Sequence, residues 1–146
     1  MLLLCFAGIY TWTLAQANVD SLYKVWQDTG QADTLRLVAV HTLARSLMHR
    51  APDSTYSLAL QELALAQKIQ SKKWEGRALN VIGLTWRYRS DFAKAMQYYE
   101  QSVVLLEQAG DAAALASVYG NMGDVYRVQS NYPKAIEYIN KSMMVA

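Results

Sequence analysis

Cysteine occurs once in this 146-residue chain, at Cys5, so neither an internal disulfide nor a cysteine-built zinc site can form. Two prolines and seven glycines leave too few turn-formers for an all-β chain of many short strands. No run of like charge exists: 14 Lys and Arg stand against 12 Asp and Glu, for a net charge of +2. The basic residues are scattered, which argues against a nucleic-acid-binding patch and constrains a partner's charge hardly at all. Glycine-rich phosphate loops, a nucleophile elbow and paired carboxylates are all missing. No catalytic residue is therefore assigned, the chain is read as non-enzymatic, and no cofactor is expected. His41 and His49 lie eight apart on one predicted helix, with Arg45 midway between them. That places a cation between would-be ligands, and no acid or cysteine completes a shell, so no metal is expected. Asp111 and Asp124 read as a helix cap and a helix-surface charge.

What is present points to helix. Hydrophobic residues make up 53% of the chain, yet mean hydropathy is only −0.02, because apolar residues are dispersed among Ala-, Leu- and Gln-rich segments. The exception is the amino-terminal block, Leu2 to Leu14, with no charge before Asp20. Ala15-Gln16-Ala17 follows, with small residues at the first and third places of a cleavage site. Residues 1–17 thus read as a secretory signal peptide cut after Ala17. The block is short of the roughly 20 apolar residues of a membrane span. It also lacks a positive start, and an uncleaved signal anchor is the alternative. Cys5 follows Leu4, not the small residue a lipoprotein cysteine wants. Its removal with the leader leaves a cysteine-free chain, which fits an oxidising compartment. Export to the periplasm, or to the extracytoplasmic face of the membrane, is the expected localisation.

The remainder repeats itself at a spacing of 40. Gly83 falls on Gly123, Arg87 on Arg127, Ser90 on Ser130, Ala95 on Ala135, Tyr98 on Tyr138 and Ser102 on Ser142; Trp86 matches Tyr126 and Phe92 matches Tyr132. Another step back gives a fainter copy, with Leu63 under Val103. Each unit reads as two helices: Ala78, Ile82 and Trp86 share one face, and Phe92, Ala95, Tyr99, Val103 and Leu106 form the next stripe. Asp91, Asp111 and Asn131 are placed to cap helices, Gly110 to stop one, and Pro133 sits in a first turn. The expected organisation is a short leading helix and linker over 18–32, then hairpins over about 33–71, 75–110 and 111–146, the last incomplete. Gly83, Gly123, Ala95 and Ala135 let helices approach, and Trp86, Tyr126, Phe92 and Tyr132 fill the opposing holes. So small a hairpin cannot bury its apolar face alone, so neighbours must stack. The fold class is therefore all-α, an α-solenoid of stacked antiparallel hairpins.

The pattern Leu79-x-x-Ile82-Gly83-x-x-Trp86, then Phe92-x-x-Ala95-x-x-x-Tyr99-x-x-Ser102, resembles the tetratricopeptide repeat. Tyr119-x-x-Met122-Gly123-x-x-Tyr126, with Tyr132, Ala135, Ile139 and Ser142, repeats it. Two departures stand out: Glu107 replaces the usual proline, and 40 exceeds the common period of roughly 34. The first unit is degenerate, with Leu43 in the glycine place and Thr55 in the alanine place. The resemblance implies a concave groove lined by the first helix of each repeat, receiving a protein or peptide partner. On that implication the groove residues are Arg77, Asn80, Leu84, Arg87 and Tyr88, then Ser117, Gly120, Asn121, Asp124, Arg127 and Val128. Simple solvation of Arg87 and Arg127 is the competing reading.

The order of leader, Val19-Asp20-Ser21-Leu22 opening, degenerate hairpin and better repeats also resembles the exported amino-terminal sensor portion of certain bacterial signalling proteins. A stand-alone exported scaffold or chaperone-like adaptor is the alternative, and the platform region of an enzyme with chemistry beyond residue 146 a further one. The chain stops on Met143-Met144-Val145-Ala146 inside a helix, from which further repeats, or pairing of this edge with another chain, are expected.

Overall fold

A computed structural model describes residues 18–146; the expected leader over 1–17 lies outside the described residues. Those residues form seven helices and no strand. They are α1 over 18–27, α2 Asp33–Leu47, α3 Pro52–Lys68, α4 Lys72–Tyr88, α5 Phe92–Ala109, α6 Ala112–Val128 and α7 Tyr132–Val145.

One piece of turn chemistry recurs every twenty residues. Ser71, Asp91, Asp111 and Asn131 each accept, through the side chain, the backbone N–H three places on, which caps α4, α5, α6 and α7. Each cap follows a residue in the left-handed region: Gln70 (φ 55°), Ser90 (61°), Gly110 (66°) and Ser130 (58°). The cap residue's own N–H then reaches back five places, as from Asp91 to the Trp86 carbonyl (3.0 Å) and from Asn131 to that of Tyr126 (2.8 Å). This Schellman closure satisfies the ending helix while the side chain starts the next. The sequence placed Ser71 at the end of the first hairpin; because it caps, α4 begins at Lys72. Only one of the four left-handed residues is a glycine. Ser90→Gly and Ser130→Gly should each therefore raise stability, by about 0.5–1 kcal/mol, read as a higher urea midpoint with unchanged slope.

Packing follows the hairpins. α4 lies between α3 and α5, and α6 between α5 and α7. The first helices α2, α4 and α6 also touch in succession, whereas α3 and α5 do not meet. The array therefore has a continuous inner layer of first helices and a splayed outer layer of second helices. One core cluster joins Val40, Leu43, Leu58, Leu79 and Ile82, and a second joins Tyr99, Leu106, Val118, Met122 and Val125. The leading helix packs Val19, Leu22, Tyr23 and Trp26 against the first cluster. Arg36 holds it there, with its guanidinium 5.0 Å from the Trp26 ring centre and Nε donating to the Trp26 carbonyl at 3.1 Å. Within hairpins, Ser102 donates to the Gly76 carbonyl (2.6 Å) and Ser142 to that of Ala116 (2.8 Å), a bond repeated at the 40-residue spacing. On α7 the side chains of Tyr132, Ile136, Met143 and Met144 are exposed.

Candidate protein-binding groove

The inner layer presents a cleft where α2, α4 and α6 converge. His41 and Arg45 come from α2, Arg77 and Asn80 from α4, and Ser117 from α6, around a hollow of about 170 Å³. A smaller continuation of about 40 Å³ runs past Arg45, Asn80, Leu84, Ser117 and Asn121. The helical register explains the grouping: Arg77, Asn80 and Leu84 step by three and four along one face of α4, as Ser117 and Asn121 do on α6.

Of the residues expected in the groove, Arg77, Asn80, Leu84, Ser117 and Asn121 do line this cleft. Several are already engaged within the chain. Asn121 Nδ2 donates to Asn80 Oδ1 at 2.9 Å, bridging α6 to α4. Arg77 Nε donates to Asp111 Oδ2 at 2.6 Å. Arg87 and Arg127 share Asp124, at 3.4 and 3.1 Å. Tyr88 turns away toward α2, its hydroxyl 3.2 Å from His49 Nδ1 and the two rings edge to face. Tyr88, Arg87, Asp124 and Arg127 thus lie outside the cleft, in a polar network along the helix ends. Asp111 is more than a cap. Burial works to raise its carboxyl, but the Arg77 guanidinium and the Ala114 N–H outweigh this and hold it below the ordinary range.

Sequence reasoning missed two features. Arg45 stands at the centre of both hollows, and among the described residues its guanidinium makes no hydrogen bond or ion pair. The second is Glu62 on α3, fully buried, with Oε1 at 2.9 Å from His41 Nδ1 and Oε2 buried without a partner. The signal was there: Glu62 lies four residues after Leu58 and four before Ala66, on the buried stripe of α3. It also falls 40 before Ser102, so a carboxylate occupies the place where the later hairpins use a serine.

Burial pushes the Glu62 carboxyl above its ordinary value of 4.5, against the opposing pull of His41 and Arg77. The folded chain then binds that proton more tightly than the unfolded chain. Its stabilising contribution is complete below the ordinary value and is lost as pH rises through the raised one. As pH rises above the ordinary carboxylate value of 4.5 the wild-type urea midpoint should fall, and Glu62→Gln should flatten that fall.

Among the described residues no group of three metal-ligating side chains gathers, and no helix is long and apolar enough to cross a membrane. The fold and cleft define a helical-hairpin solenoid with an inner face built from its first helices. The sequence profile described as tetratricopeptide repeat matches residues 76–146. Human and mouse cell division cycle protein 16 homologues are each 28% identical over 86 residues, 58% of this chain and 13% of theirs. The chain therefore spans about 13% of the length of these curated relatives. Two solved structures share the fold. The tetratricopeptide-repeat domain of Arabidopsis FLU matches with a TM-score of 0.65 and 17% identity, over 77% of this chain and 96% of that one. Aspartyl phosphate phosphatase F from Bacillus subtilis matches with a TM-score of 0.75 and 18% identity, over 93% of this chain and 37% of that one. Over residues 76–146, then, the chain carries the tetratricopeptide repeat. Its repeats form a protein-interaction module, on a fold that typically serves as a non-catalytic scaffold.

Proposed function

We propose that the inner cleft holds an extended segment of a partner protein, with an acidic side chain on Arg45. The observation that supports this is the unpaired Arg45 guanidinium, flanked by amide and hydroxyl groups, in a face whose other arginines are already matched. Arginine grips a carboxylate through two parallel N–H bonds, while Asn80, Asn121 and Ser117 offer donors and acceptors to a bound backbone. Arg45 is exposed, so its replacement leaves packing intact. In fluorescence polarisation against a library of short labelled peptides, acidic sequences should bind and weaken with salt. Arg45→Glu should reduce that binding about tenfold or more at unchanged helicity. Equal binding of neutral peptides, or indifference to Arg45→Glu, sinks the reading.

On the resemblance of its opening segments, the module is the exported sensor or scaffold part of a larger bacterial signalling protein, reached by the leader over 1–17. An alkaline phosphatase reporter fused after residue 32 should be active only when exported. An inactive fusion retained inside the cell rules out the exported placement.

A further inference from the structure

The outer layer carries a second surface, independent of the inner cleft. Because α3 and α5 do not meet, a hollow of about 460 Å³ opens between them above α4, walled by Leu63, Leu79, Tyr98 and Leu105, with Gln67, Gln101 and Glu75 as polar groups. The chain's own repeat supplies the template for what fits there. Forty residues on, Tyr119 stands in the place of Leu79, Tyr138 in that of Tyr98 and Glu107 in that of Gln67. In that later groove the Tyr119 ring lies 6.2 Å from the Tyr138 ring, and its hydroxyl donates to Glu107 Oε1 at 3.2 Å. In the earlier groove the ring is missing, since Leu79 reaches less far. Among the described residues the Gln67 amide makes no hydrogen bond, and the Glu75 carboxylate neither a hydrogen bond nor an ion pair. Glu75 is also the only charged side chain lining the hollow.

We propose that this outer groove receives a tyrosine side chain of a partner polypeptide, carried next to a basic residue. The ring takes the position that Tyr119 fills in the next repeat, against Tyr98. The phenol hydroxyl donates to Gln67, as Tyr119 does to Glu107. The neighbouring cation meets the otherwise unmatched Glu75, which sets the charge of the partner at this surface.

The test is an NMR titration of the ¹⁵N-labelled chain with acetyl-Lys-Tyr-Lys-amide, and with versions carrying Phe or Leu in place of Tyr. Shifts confined to α3, α4 and α5 are expected, with a roughly millimolar Kd, the scale suited to one anchored side chain. The Phe version should bind about three- to tenfold more weakly, the range of one net hydrogen bond, and the Leu version more weakly still. Gln67→Leu should abolish the Tyr-over-Phe preference, and Glu75→Gln should weaken all three peptides about threefold. Leu79→Tyr, which copies the next repeat, should fill the hollow from within and remove binding. Should that variant fail to fold by circular dichroism, Gln67→Leu and Glu75→Gln still decide the matter, since neither side chain is in the core. Equal affinity for all three peptides, or shifts confined to the inner cleft, overturns the proposal. So does self-association in sedimentation that Gln67→Leu removes, because the occupant is then a second copy of the chain.

Discussion

Gly83→Leu is expected to prevent the array from folding, seen as lost helical ellipticity or aggregation where the wild type stays folded. A bare Cβ at Gly83 would stand 2.6 Å from Tyr99 Cε1 and 3.1 Å from the Ala95 carbonyl oxygen. The Tyr99 ring cannot retreat, because it is fully buried between α4 and the second core. Gly83→Ala already pays this clash, and even after the gain of about 1 kcal/mol from helix propensity it should cost about 2–3 kcal/mol. Two other glycines serve as controls. At Gly123 the Ala135 carbonyl oxygen and Ile139 Cγ1 each stand 3.2 Å away; the half-exposed Ile139 side chain can shift though the carbonyl cannot, so Gly123→Ala should cost clearly less than Gly83→Ala. At Gly120 the nearest atom is 3.8 Å away, and Gly120→Ala should stabilise by about 0.5–1 kcal/mol. If all three alanine variants behave alike in urea melts, the close approach at Gly83 is not what the repeat depends on.

Tyr99→Ala is the second large effect, a loss of about 3–5 kcal/mol from emptying the space of a large, fully buried side chain. Tyr99→Phe should change stability by less than about 1 kcal/mol, because the buried hydroxyl has no hydrogen-bond partner to lose. Burial pushes the Tyr99 phenol far above its ordinary value, against the nearby Arg87 guanidinium, so it stays neutral at any working pH. The two sites are also coupled. In the first hairpin Leu43 stands in the place of Gly83 and Ala59 in the place of Tyr99, both fully buried in one core. Large and small have exchanged sides there. A double variant, Gly83→Leu with Tyr99→Ala, copies that arrangement. It should regain helical ellipticity that Gly83→Leu alone loses. A double variant as unfolded as Gly83→Leu contradicts the exchange.

That exchange shows how much of the fold was legible. The hairpins, their stacking and most caps followed from a 40-residue register and from Asp91, Asp111 and Asn131, because caps and helical stripes are local and one-dimensional. The first hairpin read as degenerate because single positions were compared with a pattern. The structure pairs them, and in each of the first two hairpins a large side chain on one helix faces a small one on the other. Ser71 is the cap that the pattern leaves unassigned; Gln70 before it takes the left-handed conformation, as Ser90 and Ser130 do before Asp91 and Asn131.

The groove was half legible. Register alone places Arg77, Asn80, Leu84, Ser117 and Asn121 on the inner faces of α4 and α6, and there they line the cleft. Whether an arginine is free or spent depends on which carboxylate a neighbouring helix brings within reach. Arg77 meets Asp111 from 34 residues away and Arg87 meets Asp124 from 37. Arg45, which the sequence offered only as an obstacle between two histidines, is the cation left unmatched among the residues of that face.

By itself, then, the sequence determined that the described chain is helical, where most helices begin and end, and that the hairpins must stack, since each carries an apolar stripe it cannot cover. Only the tertiary structure decided which polar groups remain unpaired. Pairing between charges depends on distances set by the stacking of α2, α4 and α6, and on the splay that leaves α3 and α5 apart. Neither is written in the spacing of residues along one helix.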